Sequence, residues 1–294
     1  MYGDLEWISN YKEEIIMRSS LNFTNKLSKI AEMEGDSVFQ ILEYESLEGA
    51  TDVETALGLN IIRKNGIKLK QIRIELDNSS VILEPGALSY MKGNIKISNK
   101  SGGVLGLGKK LISSKLTGET VFKPMYSGSG EIFLEPSFGN FALIELEDDE
   151  IIVDDGLFFA CESSVEVGVS IQKTISAAIL GDEGLCQTRI SGSGVVALEI
   201  PVPESEIFKC VLIDDTLKVD GNFVILRTGN IEFTVEKSAK SIVDSATSGE
   251  GLVNVYRGTG EVWIVPTKSV YNDLKIKGLT EMRRAQHNIN TQEE

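Results

Sequence analysis

Gly249-Glu-Gly-Leu-Val-Asn-Val-Tyr-Arg-Gly-Thr-Gly-Glu-Val-Trp-Ile-Val-Pro266 occurs in this chain three times in related form. The other copies are Gly118-Glu-Thr-Val-Phe-Lys-Pro-Met-Tyr-Ser-Gly-Ser-Gly-Glu-Ile-Phe-Leu-Glu-Pro136 and Gly181-Asp-Glu-Gly-Leu-Cys-Gln-Thr-Arg-Ile-Ser-Gly-Ser-Gly-Val-Val-Ala-Leu-Glu-Ile-Pro201. Each has an acid near its start, a strand-like run, a Gly-Ser/Thr-Gly element read as a turn, a second run and a proline. The three Gly-x-Gly elements start at Gly128, Gly192 and Gly258, 64 and 66 residues apart.

A second landmark keeps the same order. It is an apolar run, an acid or proline, a glycine and another apolar run: Val81-Ile-Leu-Glu-Pro-Gly86, Ile151-Ile-Val-Asp-Asp-Gly156 and Leu217-Lys-Val-Asp-Gly221. Alternating strands follow each, at Ile95–Ile97, Val165–Val169 and Ile231–Val235. Two landmarks on one period predict a triplication, with β-modules at 36–137, 138–202 and 203–268. Connectors at 101–117, 170–183 and 236–248 join the runs.

The flanks differ from this body. Leu5, Ile8, Tyr11 and Ile15 recur at helical spacing behind Asp4 as N-cap, and a second helical pattern, Leu27, Ile30 and Ala31, follows Thr24 up to the Gly35-Asp36 break. Residues 1–35 therefore read as a helical extension packed on the body, with a partner-binding arm as the other reading. Val38–Tyr44, Ile67–Leu76 and Val81–Leu83 read as strands, and Asn65-Gly66 as a hairpin signal. The polar tail 269–294 begins as an amphipathic segment with Tyr271, Leu274, Leu279 and Met282.

Composition limits the chemistry. The 294 residues carry 29 basic and 44 acidic side chains, a net charge of −15, and this surface repels phosphate backbones and anionic headgroups. Cys161, Cys186 and Cys210 form no C-x-x-C pair and read as small core residues of a reducing compartment. The acidic start lacks the basic-then-apolar layout of a signal peptide, and no apolar run approaches the ~18 residues of a membrane span. These features predict a cytoplasmic protein.

Gly86-Ala-Leu-Ser-Tyr-Met, Leu116-Thr-Gly-Glu, Tyr126-Ser-Gly-Ser-Gly, Asp155-Gly-Leu-Phe-Phe-Ala-Cys161 and Ser248-Gly-Glu-Gly-Leu-Val253 with Gly258-Thr-Gly260 together resemble the altered-inheritance-of-mitochondria family over residues 38–267. The first 35 residues lie outside that pattern. The resemblance implies a mainly all-β fold. It consists of three tandem double-stranded β-helix modules like that of the tryptophan-RNA-binding attenuation protein, three chains closing a nine-module ring. Ring closure would pair sheet edges that a small β-module leaves open.

Catalytic readings fare poorly. A dinucleotide fingerprint needs a third glycine opening a helix, whereas a strand-like run follows each Gly-x-Gly here. Gly103-Val-Leu-Gly-Leu-Gly108-Lys109-Lys110 satisfies Gly-x4-Gly-Lys, but Lys110 stands where a phosphate loop needs Ser or Thr. With Leu105, Leu107, Leu111 and Ile112, the same connector has a weaker reading as a membrane or partner contact. A metal site of several imidazoles is ruled out by the single His287, which also leaves Ser-His-Asp chemistry unsupported. The acidic runs Asp148-Asp149-Glu150, Asp154-Asp155 and Asp214-Asp215 read as solvated turns, and Glu119, Glu183 and Glu250 as a repeated fold role.

No catalytic, cofactor-binding or metal-binding residue is nominated. The expectation is a non-enzymatic, homotrimeric ring that binds or scaffolds a protein partner. A small-ligand or RNA-binding regulator is the alternative.

Overall fold

A computed structural model describes residues 26–99, 123–171, 186–237 and 252–275. The chain is mainly β, with thirteen strands among the described residues in one antiparallel network. A hairpin of β1 (Leu27–Glu34) and β2 (Ser37–Tyr44) leads through helix α1 (Val53–Lys64) to β3 (Lys70–Leu83), β4 (Leu88–Asn99) and β5 (Pro124–Leu134). Next come β6 (Asn140–Asp154), β7 (Phe158–Glu162), β8 (Glu166–Ile171) and β9 (Cys186–Ile200). The last group is β10 (Phe208–Val219), β11 (Val224–Thr228), β12 (Ile231–Lys237) and β13 (Leu252–Ile264). A short helix, α2, follows at 268–275, and Leu279 and Met282 of the expected amphipathic segment lie outside the described residues.

Four local expectations change. The Leu27-Ile30-Ala31 pattern is a strand, not a helix: β1 pairs with β2 from Leu27↔Tyr44 to Glu34↔Val38, and Gly35-Asp36 is the hairpin turn. A bulge between Lys29 and Ala31 lets Ala31 and Met33 reach the core, so spacing that mimics a helical stripe arises in a strand with one extra residue. The rest of the expected helical extension, residues 1–25, lies outside the described residues.

Asn65-Gly66 ends a helix rather than making a hairpin. Asp52 Oδ1 accepts from Thr55 N (2.8 Å) at the start of α1, Asn65 Nδ2 donates to Ile61 O (2.8 Å) at its end, and Gly66 takes φ +67°. Third, Ile67–Leu76 and Val81–Leu83 are not separate strands; β3 runs through both.

The fourth change explains the repeat. The Gly-x-Gly elements are not turns; β5, β9 and β13 run straight through them. Opposite each, the neighbouring long strand carries a bulge, at Leu76/Ser79 in β3, Leu146/Asp149 in β6 and Leu212/Asp215 in β10. Asn78, Asp148 and Asp214 take φ of 53°, 59° and 49° at the bulges, a conformation that Asn and Asp tolerate best after glycine. Their N–H groups donate to Ser129 Oγ (2.9 Å), Ser193 Oγ (2.9 Å) and Thr259 Oγ1 (3.0 Å), the central residue of each Gly-x-Gly.

The flanking glycines are needed because neighbouring backbone or side-chain atoms crowd each of them. At Gly130, with φ +151°, a Cβ would lie 2.1 Å from Lys92 O. The second landmark holds as read: Gly86, Gly156 and Gly221, at φ +87°, +79° and +84°, turn each long strand into the next element.

Packing follows from the pleat. Val195 and Ala197 of β9 join Phe39, Ile72, Ile74, Leu134 and Phe141 on one face. Val196 and Leu198 join Ala142, Leu146, Ile225, Trp263 and Val265 on the other. Burial on both faces accounts for the unbroken apolar run Val195-Val-Ala-Leu198. A third cluster gathers Leu212, Phe233, Tyr256 and Val262.

Candidate assembly interface

The same strand junction forms twice within the chain. The end of β3 pairs with β7 (Val81↔Glu162, Ile82↔Cys161, Leu83↔Ala160), and the end of β6 pairs with β11 (Ile151↔Thr228, Ile152↔Arg227, Val153↔Leu226). Superposing the three bulges puts Leu217-Lys218-Val219 of β10 at the position of Val81–Leu83 and Ile151–Val153. Irregularities opposite β5, β9 and β13 put Tyr90-Met91 at the position of Ala160-Cys161 and Leu226-Arg227.

Among the described residues, β10 pairs only with β13 and β4 only with β5. Exposure shows the consequence. Tyr90 is 52% exposed where Ala160 and Leu226 are 0% and 3%, and Met91 is 38% exposed where Cys161 and Arg227 are 0% and 3%. Phe208, at the start of β10, is 62% exposed, whereas its counterparts Ile72 and Ala142 are buried. Tyr90 stacks on Phe133 at 4.4 Å between centroids, and the Arg73 guanidinium lies 5.9 Å over that ring. One end of the chain thus offers an aromatic patch and the other an apolar strand face. Aromatic residues and Arg are the types that dominate binding surfaces.

Two buried polar groups lie at the internal junctions. Glu162 is 2% exposed and accepts from Ser37 N (2.7 Å) and Val195 N (3.0 Å), tying the β1–β2 hairpin to β9. Thr228 stands at the corresponding place and accepts from Glu261 N (3.3 Å). Arg227 is 3% exposed; it donates to Ile231 O (2.8 Å) and more weakly to Gln187 Oε1 (3.5 Å), and its Nε has no hydrogen-bond acceptor. Burial depresses its pKa and raises that of the neighbouring Tyr256 phenol.

Arg227→Met, which removes a poorly satisfied buried cation at the register position that Cys161 and Met91 occupy elsewhere in the sheet, is expected to change stability by under about 1 kcal/mol or to raise it. Denaturant unfolding of the variant checks this; a loss above about 3 kcal/mol would show that the guanidinium is well paired.

The acidic runs fall on the framework, and not all are turns. Asp148 and Asp214 are bulge residues within β6 and β10, Glu150 pairs with Arg189 (2.9 Å), and Asp154 pairs with Lys268 (3.1 Å). Asp148, Asp149, Glu150 and Glu166 line an open polar cleft together with Ser191, Gly192 and Gly229. No set of three or more His, Cys, Asp or Glu among the described residues is arranged to hold a metal ion. Cys161 is buried and Cys210 half-buried. Gly103–Lys110, Glu119, Glu183, Glu250 and His287 lie outside the described residues. No described helix is long and apolar enough to cross a membrane.

The family model for mitochondrial biogenesis AIM24 matches residues 62–267. The chain belongs to this family. An uncharacterized protein of Streptococcus pyogenes serotype M6 is 26% identical over 219 residues, which is 72% of this chain and 86% of that one. The crystal structure of a Streptococcus pyogenes protein is similar with a TM-score of 0.51 and 25% identity, over 71% of this chain and 94% of that one. The matched span takes in both internal junctions and both exposed strand ends. It begins within α1, so β1 and β2 precede it.

The sequence reading missed Tyr90, Phe133, Phe208 and Glu162. Tyr90 lay inside the quoted Gly86–Met91 motif, but only register against Ala160 and Leu226 marks it as an edge residue.

Proposed function

We propose that this AIM24-family protein is a non-enzymatic binding or scaffold protein. In this reading it has three modules like those of the attenuation protein, and three copies close head to tail into a ring. The observation that supports this most is the junction made twice inside the chain and half-made at each end. Pairing Leu217–Val219 of one copy with Tyr90-Met91 of the next would bury both ends by the contact already used at β3·β7 and β6·β11. Terminal repeats of a free-standing array carry polar outer faces, and here they carry Tyr90 and Phe208. A head-to-tail contact avoids an open filament only by closing. The number three comes from the nine-module ring of the resemblance.

The non-enzymatic reading draws on the carboxylates, since Glu162, Glu150 and Asp154 are engaged in structural bonds. Of the two alternatives, an RNA-binding regulator fits least, because the cleft between the second and third units is lined by acids that repel phosphate. The cytoplasmic location expected from the cysteine pattern is part of the same proposal, as is a protein partner for the assembled ring.

Light scattering on the purified protein is expected to give three times the 32.1 kDa chain mass. Phe208→Glu and Tyr90→Glu, each placing a charge in the contact, are expected to shift the species to single chains at micromolar concentration with little change in strand content. A parent protein that runs as a single chain would overturn the ring.

A further inference from the structure

Helix α1 buries none of its side chains, yet it is not polar. Its inner side, with Leu59 and Ile62, faces Leu47, Ile67 and Leu69. On the side away from that contact, Val53, Leu57 and Ile61 stand four residues apart, so they form one stripe along the helix. They are 77%, 59% and 59% exposed. Isolated apolar residues on a surface are ordinary, but a contiguous stripe on an unanchored two-sided helix marks an interaction surface.

The chain itself points to an occupant. The 25 residues before Lys26 enter the fold beside this helix: Lys26 O accepts from Glu45 N (2.9 Å), and Lys26 Nζ pairs with Glu48 (3.0 Å) on the segment that leads into Asp52 and α1. Within those 25 residues, Leu5, Ile8, Tyr11 and Ile15 recur at helical spacing. The stripe from Val53 to Ile61 is about 12 Å long at 1.5 Å per residue, and Leu5 to Ile15 in helical form would match it at about 15 Å. The intervening residues 16–25 can span about 33 Å when extended, ample for the return path. Acids outnumber bases on the arm, with Asp4, Glu6, Glu13 and Glu14 against Lys12, and Arg63 and Lys64 close α1, whose first turn carries Glu54.

We propose that residues 4–16 of the same chain form an arm that lies along the Val53-Leu57-Ile61 stripe of α1. The arm covers the stripe, and the stripe gives the N-terminus a fixed place next to the β1–β2 hairpin. The proposal is independent of ring closure, because α1 contributes nothing to the β4 and β10 edges.

Hydrogen exchange on the full-length protein tests it. Amides of residues 5–16 are expected to exchange at least tenfold more slowly than in the free peptide of the same sequence. The double variant Leu57→Asp, Ile61→Asp, whose positions are more than half exposed, is expected to fold normally and to abolish that protection. A second pair, Ile8→Cys with Leu57→Cys, should form an intramolecular disulfide under mild oxidation, while Ile8→Cys with Ser98→Cys should not. Three results would overturn the proposal: an unprotected arm in the parent, protection unchanged in the double variant, or a disulfide linking two chains, which would make the stripe a contact between copies.

Discussion

Gly130→Val is expected to melt far below the parent protein, with a loss on the order of 3 kcal/mol or more, as positive-φ strain adds to overpacking. At φ +151°, any added Cβ meets the Lys92 carbonyl at 2.1 Å and Gly93 Cα at 2.9 Å, both backbone atoms of β4 that can yield only by displacing the strand. Gly194→Val and Gly260→Val occupy equivalent places at φ +140° and +157°, but the first contacts there are side-chain oxygens, Glu162 Oε2 at 2.6 Å and Thr228 Oγ1 at 2.1 Å. Thr228 can swing aside, so a loss of about 1–3 kcal/mol is expected for Gly260→Val, whereas moving Glu162 would break its two buried hydrogen bonds, so Gly194→Val is expected to lose as much as Gly130→Val. From the sequence alone the three positions look interchangeable; the neighbouring atoms rank them. Side-by-side thermal melts decide the order. A Gly130→Val protein that melts with the parent would contradict the three-strand packing at this place.

Glu162→Ala is expected to cost about 3 kcal/mol, because it removes two charge-assisted hydrogen bonds and leaves the buried Ser37 and Val195 N–H groups without an acceptor. The damage should be asymmetric. Gly35, whose Cα faces the carboxylate so closely that a Cβ would stand 2.7 Å from both oxygens, sits at the tip of the β1–β2 hairpin, so that hairpin should loosen first. Glu162→Gln, which can satisfy one N–H well but turns an amide NH2 toward the other, is expected to fall between Ala and the parent. Urea unfolding gives the magnitudes, and amide exchange at Ser37 and Val195 gives the location. Parent-like stability of the Ala variant would show that solvent replaces the carboxylate at no cost.

These two sites show what was legible in the sequence and what was not. The Gly-x-Gly period announced a threefold recurring element, and the positive φ of Gly130, Gly194 and Gly260 follows from residue type and recurrence. What hid the architecture was that two glycines around a small polar residue can mark either a tight turn or a strand crowded by its neighbours. Only the partners of Ser129, Ser193 and Thr259, the bulge residues Asn78, Asp148 and Asp214, decide for the strand. Those partners lie 45 or 51 residues away, beyond any local pattern. Helix α1 escaped notice because Asn65-Gly66 has a strong hairpin precedent. The β1 strand was misread because its bulge shifts the period from two toward three. Glu162 carries no signal in sequence at all: it is one acid among 44, distinguished only by the 125-residue reach to Ser37.

The edge residues follow the same logic. In Ala160-Cys161 and Leu226-Arg227 the junction positions are buried by chain neighbours, so small, apolar or hydrogen-bonded side chains suffice. Tyr90 and Met91 carry larger apolar groups into solvent at the same register. A closed assembly would turn that exposure into buried area, at roughly 25 cal/mol per Å² of apolar surface.

Cross-linking at the proposed contact tests this account most directly. By the register Ile82↔Cys161 and Ile152↔Arg227, Lys218 of one copy should face Met91 of the next. A chain carrying both Met91→Cys and Lys218→Cys, oxidised gently and run without reductant, is expected to form a ladder that stops at three chains, while either single variant forms none. A double variant that stays a single chain, or a ladder that runs on without stopping at three, would contradict the closed ring.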